Sequence, residues 1–193
     1  MQTLPRITVE MPMLRIGQGP SDYEALGSYV NALRRPQGLH LTLLHIGILL
    51  DFSQDVAEWT NGITSPGAAA ARTVRWLQAL PVLDGFSGRT ERLIVLGGGS
   101  IAGLEVEVPH HVYDYQVFLV QGLHQLLHEL LVDDVDDFIL SSRALGFRYP
   151  RWVPHVAVGR PLARDREPRR FPPLNVEFGE SRIRNGRFLP AGP

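Results

Sequence analysis

The sequence predicts an α+β protein, and three observations carry that prediction. Strand-like and helix-like stretches are mixed without a regular strand–helix repeat, so a doubly wound parallel sheet does not fit. Two apolar strands flank a glycine-rich turn, as in an antiparallel hairpin. Two further strands, far apart in the chain, each open on a histidine after a turn. With 193 residues, 44% hydrophobic and 20% charged, the chain has the size and apolar content of one domain, or of two small lobes, over 1–193.

The elements follow in order. "RITVEMPMLRI" (6–16) is rich in β-branched residues and reads as a strand broken or edged by Pro12. "SDYEALGSYVNALRR" (21–35) has Ser21 and Glu24 at capping-box spacing, with Tyr23, Leu26, Val30 and Leu33 at helical spacing. Pro36-Gln37-Gly38 turns the chain into the first histidine strand, and a short polar link follows Asp51. "SPGAAAARTVRWLQAL" (65–80) is a helix with Pro66 in its first turn. "ERLIVLGGGSIAGLEVEVP" (91–109) is the hairpin. Its Gly97-Gly98-Gly99-Ser100 lacks the lysine and the following helix of a phosphate loop.

"HVYDYQVFLVQGLHQLLHELLVD" (111–133) has the strongest helical pattern, with Val117, Val120, Leu123, Leu127, Leu130 and Leu131 on one broad face. His124 and His128 are four apart, but Gln125 stands where a zinc protease has glutamate, so they read as surface residues. "DDVDD" (133–137) lacks the glycine and spacing of a calcium loop and reads as a solvated helix end or turn. An arginine- and proline-rich loop (162–173) precedes terminal strands in "LNVEFGESRIRNGRF" (174–188).

Composition removes whole chemistries. There is no cysteine, which excludes thiolate catalysis, disulfides and cysteine-bound zinc. There is no lysine either, since all 19 basic residues are arginine, so Schiff bases and a Walker-type lysine are excluded. The net charge of −1 hides an asymmetry. Residues 1–137 hold 8 arginines against 16 acids, and residues 138–193 hold 11 against 4. A basic C-terminal third suits a polyanionic ligand. The apolar run at 39–50 is interrupted by two histidines and too short to span a bilayer. "MQTLPRITVEMPM" lacks the basic-then-apolar order of a signal peptide, so the expectation is a cytoplasmic protein, and a monomer.

In "GLHLTLLHIG" (38–47), strand alternation puts His40 and Thr42 on one face and Leu39, Leu41 and Leu43 on the other. By the same alternation His45 faces away from His40 and reads as packing. "WVPHVAVGR" (152–160) repeats the pattern, with His155, Ala157 and Gly159 on one face and Val156 and Val158 on the other. Two such strands, separated by a hairpin and a long helix, suggest two lobes that each supply one histidine.

These residues carry a resemblance to the 2H phosphoesterase superfamily, especially the RNA 2′,3′-cyclic phosphodiesterases also called 2′-5′ RNA ligases. "HLTLLHIG" is similar to the first His-x-Thr/Ser motif, and "LGFRYPRWVPHVAVGR" resembles the segment holding the second. "ESRIRNGRF" is similar to the closing strand, so the resemblance spans roughly residues 36–188. The second motif departs from the pattern, with Ala157 where a hydroxyl belongs.

The resemblance implies a two-lobed, pseudo-symmetric fold whose antiparallel sheets line a central cleft, with helices outside. It implies a hydrolase that cleaves 2′,3′-cyclic phosphates of RNA or nucleotides, with no metal or other cofactor. His40 would donate a proton and His155 accept one, while Thr42 holds a phosphate oxygen. Arg148 and Arg151 would hold the nucleic-acid backbone, and Tyr149 or Trp152 would stack a base. Reversible 2′-5′ ligation and cleavage of cyclic oligonucleotides are close variants. The alternative from another class is an RNA- or nucleotide-binding protein with a degenerate, inactive second motif.

Overall fold

The computed structural model of the chain describes residues 6–145, 152–162 and 167–184. It is an α+β protein with an antiparallel sheet, as the mixed element pattern predicts. The strands are β1 (Arg6–Ile16), β2 (Val30–Asn31), β3 (His40–Ile48), β4 (Phe86–Leu96), β5 (Ile101–Glu107), β6 (His155–Pro161), β7 (Arg169–Phe178) and β8 (Arg182–Arg184). The helices are α1 (Pro20–Glu24), α2 (Leu49–Trp59), α3 (Pro66–Gln78), α4 (His110–Glu129) and α5 (Val135–Ser141).

The strands run in the order β2-β6-β3-β1-β7-β4-β5, with β8 on β1. β5 also pairs with β6, so the path from β6 to β5 returns on itself. Every pairing among the described residues is antiparallel. Closure leaves β3, β6 and β5 as three adjacent strands, with the two histidine strands side by side. α2 and α4 pack on β3, α3 packs on both α2 and α4, and α5 packs on α4. No helix among the described residues is long and apolar enough to cross a membrane.

Pro12 does not break β1. It falls between the stretch that pairs with β8 (Thr8 to Glu10) and the stretch that pairs with β7 (Met13 to Ile16), where the strand changes neighbours. There a missing N–H costs no ladder bond, and the Pro12 carbonyl accepts from Gly179 N at 2.9 Å.

Four stretches differ from their sequence reading. The helix expected over 21–35 ends as α1 plus a 3-10 turn, and Val30 and Asn31 pair with β6 instead. Gly159 makes this possible, because a Cβ there would meet Val30 Cγ1 at 2.5 Å. The polar link after Asp51 is helix α2, held by Phe52 and Val56 at i,i+4 on its buried side. The loop over 162–173 already contains the start of β7, with Pro172 and Pro173 at the irregularity in its pairing with β4. The buried face of α4 is Val112, Gln116, Leu119, Leu123 and Leu127 rather than one through Val117, and Val117 and Leu131 are exposed. The helix is turned by the demand to cover β3. The hairpin around Gly97–Gly99 and the helix with Pro66 in its first turn form as expected, and Ser65 caps that helix by accepting from Ala68 N.

Gly47 closes this architecture beneath β3. It adopts φ +85, and a Cβ there would run into the carbonyl oxygen of Ala144. Gly47→Ala therefore combines a left-handed backbone with a main-chain clash, and should destabilise the fold by at least about 2 kcal/mol. Urea unfolding should show a lower midpoint with an unchanged slope.

Candidate active site

The site is set by one row of inward-facing residues. Leu41 of β3 pairs with Val156 of β6, which pairs with Leu104 of β5, and all three are fully buried. Because alternate residues point to opposite faces, their neighbours turn outward together. His40 and Thr42, His155 and Ala157, and Gly103 and Glu105 thus share one face and are all partly exposed or lack a side chain. Around the Leu41–Val156 pair, Thr42 lies beside His155 and His40 beside Ala157. The two histidines are diagonal neighbours, with Cβ atoms roughly 7 Å apart in this arrangement.

Each ring is fixed in the same way. His40 Nδ1 lies 2.9 Å from the carbonyl of Gly38, and His155 Nδ1 lies 2.8 Å from the carbonyl of Val153. A carbonyl only accepts, so each Nδ1 carries the proton and donates it to the residue two before. That leaves Nε2 of each ring for other partners. Burial pushes the pKa of His155 down, the bond to Val153 opposes this, and the charge of His40 lowers it further. His155 therefore favours the neutral form, with a lone pair on Nε2.

His40 meets a different environment. Its Nε2 is 3.4 Å from Oε2 of Glu10, a fully buried carboxylate on β1 that is paired with Thr42 in the ladder. Oε1 of Glu10 accepts from Arg182 Nη2 at 3.0 Å and Nε at 3.2 Å. Oε2 also accepts from Thr8 Oγ1 at 3.3 Å. Arg184 Nη1 lies 3.6 Å from Oε2 and 3.2 and 3.3 Å from the two His40 nitrogens. An atom equidistant from both nitrogens would collide with Cε1 if it lay in the ring plane. Arg184 therefore sits over the face of the imidazole. His40 thus turns Nδ1 to the Gly38 carbonyl and Nε2 to the Glu10 carboxylate. Two guanidiniums against one carboxylate leave a positive surplus beside it, which suits an anion.

On the other flank Glu105 lies opposite His155 in the ladder, and its Oε2 is 3.0 Å from Arg92 Nη1. Ala157 lies opposite Gly103, where a Cβ would already meet His155 Cδ2 at 3.3 Å. Ala157 thus leaves the floor beside His155 without the second hydroxyl.

Of the residues singled out in the sequence, His40, Thr42 and His155 come together on this face. Trp152 is half-buried, and its indole N–H donates to the Thr42 carbonyl at 3.1 Å while its ring meets Tyr113 edge-on at 5.4 Å. It ties the lead-in to β6 onto β3 and α4. Arg148, Tyr149 and Arg151 lie outside the described residues.

The sequence reading missed Glu10, Arg182 and Arg184. The available signals were a lone acid inside the apolar "ITVEMPM" and an Arg-Ile-Arg alternation that puts both guanidiniums on one face. It also misplaced His45. Val9 pairs with Leu44 and Glu10 with Thr42, so Leu43 is an extra residue in β3. This bulge shifts the alternation, and His45, paired with Thr8, joins the face of Thr42 and His40. Burial, reinforced by Arg6, pushes its pKa down.

No family model matches the chain, and neither does any curated protein. Among solved structures, the chain is similar to the protein TT0787 of Thermus thermophilus, at 19% identity and a TM-score of 0.45 over 93% of this chain and 84% of that one. It is similar also to a structure described as a phosphoesterase, at 13% identity and a TM-score of 0.45 over 92% of this chain and 93% of that one.

Proposed function

We propose that the protein is a metal-independent two-histidine phosphoesterase acting on 2′,3′-cyclic phosphates of RNA or nucleotides. The observation that carries this reading is the matched pair of rings on one face, each with Nδ1 committed to a carbonyl two residues back. In hydrolysis, His155 Nε2 takes a proton from water as its oxygen bonds to phosphorus. His40 Nε2–H gives a proton to the ribose oxygen as its bond to phosphorus breaks. One P–O bond forms and one breaks, and the histidine pair ends with its proton on His155 instead of His40. Thr42 and Arg184 hold non-bridging oxygens, and the surplus charge around Glu10 offsets the charge that develops on them. 2′-5′ ligation would use the same residues in the same roles, with a 5′-hydroxyl in place of water and the 3′ oxygen leaving.

A second reading, an RNA- or nucleotide-binding protein without turnover, is favoured by Ala157 opposite Gly103, a pair that supplies no hydroxyl beside His155. A hydrogen bond to a charged group contributes about 1.5–3 kcal/mol, which is roughly ten- to a hundredfold in rate. Ala157→Thr should restore such a donor and raise turnover of a 2′,3′-cyclic mononucleotide by about that factor. A folded variant with equal or lower turnover would show that the phosphate is held elsewhere. Activity in the variant with none in the parent would establish the binding-protein reading.

The primary test is hydrolysis of a 2′,3′-cyclic mononucleotide with EDTA present. His40→Ala and His155→Ala should each cost at least roughly a hundredfold. The kcat/KM profile should be bell-shaped, and its acid limb, set by His155, should fall below the pH of an ordinary histidine near 6.5. Near-wild-type rates in either variant would remove the acid–base pair. So would EDTA-sensitive activity restored by zinc.

Glu10 acts through His40 and the two arginines, so Glu10→Gln separates positioning from binding. It leaves the cationic groups in place, so KM should hold or fall while kcat drops by about tenfold, the lower end of a charged hydrogen bond. A raised KM with unchanged kcat would contradict this placement of the carboxylate.

A further inference from the structure

The face that carries His40 and Thr42 continues past Thr42 because of the bulge at Leu43. Its next residue is His45, and Arg6 lies two residues before Thr8 on the same side of β1. These two side chains, with Asp51 and Arg143, line a cavity of about 180 Å³ whose walls are Gly47, Ile48, Ala144 and Leu145. None of this belongs to the histidine pair.

We propose that this cavity is a second anion site, and that it takes the adjacent backbone phosphate of an oligonucleotide whose terminal cyclic phosphate lies at His40 and His155. The inference rests on the phosphoesterase reading and narrows its substrate class from RNA or nucleotides to oligonucleotides. Three features support it. The lining has a cationic surplus, with two guanidiniums against the single carboxylate of Asp51, and the His45 imidazole beside them as a polar partner. α2 starts at this cavity, and its N-cap, Ile48, has no side chain to cap the first-turn amides, which leaves donors suited to an anion. The volume is below that of sites that enclose whole small ligands, so it fits a phosphate group better than a nucleoside.

The spacing agrees as well. Glu10 pairs with Thr42 and Thr8 with His45, so the second site begins one two-residue step along β1, about 6.6 Å away. One nucleotide unit of an unstacked strand bridges such a distance. The sequence could not show this, because without the bulge His45 would point into the opposite face.

The test compares kcat/KM for a 2′,3′-cyclic mononucleotide with that for a trinucleotide ending in the same cyclic phosphate. The wild-type protein should prefer the trinucleotide by about tenfold or more, the worth of one charged contact. Arg143 is exposed, so Arg143→Gln should fold normally. It should reduce that preference at least several-fold, and Asp51→Asn, which removes the opposing charge, should increase it. No preference in the wild type, or a preference unmoved by both variants, would overturn the proposal.

Fluorescence anisotropy with a labelled trinucleotide 3′-phosphate separates this site from the hydrolytic reading. Binding weakened by Arg143→Gln in a protein that turns over no cyclic phosphate would keep the second site and remove the hydrolytic reading. Mononucleotide turnover with trinucleotide binding indifferent to both variants would do the reverse.

Discussion

The row Leu41–Val156–Leu104 is the constraint on which the rest of the site depends. Each of these side chains is fully buried, and together they fix how β3, β6 and β5 register against one another. A slip by one residue in either histidine strand would expose two apolar side chains and bury an imidazole without a partner. At about 1.5–3 kcal/mol for each large apolar side chain, together with the cost of an unpaired buried polar group, that alternative is closed. The outward placement of His40, Thr42 and His155 is thus a by-product of core packing. The site inherits its rigidity from residues that never touch a ligand.

Electrostatics then makes the two histidines different. Similar motifs, each with a ring held by a carbonyl two residues back, give His155 a buried setting and His40 a carboxylate. The carboxylate is Glu10, whose own burial is tolerable because Arg182 takes one oxygen while Thr8, Arg184 and His40 surround the other. A buried charge with this many partners is not chiefly a source of stability. Its effect is to fix where the cations stand, and to hold β8 and β3 to opposite edges of β1.

The bulge in β3 shows how one extra residue changes a surface. Leu43 is inserted against β1, the strand keeps its buried side filled by Leu43 and Leu44, and the outward side gains His45. Two chemically distinct patches, the histidine pair and the Arg6–His45–Arg143 cavity, are therefore laid along one strand edge instead of on opposite faces. Gly47, with its left-handed backbone against Ala144, ends the strand and turns it into α2.

By itself the sequence determined the α+β class, the hairpin, the helix that Pro66 opens and the shared face of His40 and Thr42. Each follows from local rules: mixed periodicity, turn residues, a first-turn proline and the two-residue repeat of a strand. The repeat fails once the chain inserts a residue, which is why His45 was misread. Local pattern also could not place Glu10, Arg182 and Arg184, since 172 residues separate Glu10 from Arg182 and only strand pairing makes them neighbours. The polar-looking link after Asp51 becomes a helix because Phe52 and Val56 find a core to enter, and the face of α4 turns to meet β3. Tertiary structure alone decided which strands adjoin, because closing β5 onto β6 depends on contacts between residues far apart in the chain. That closure converts two ordinary histidine strands into one site.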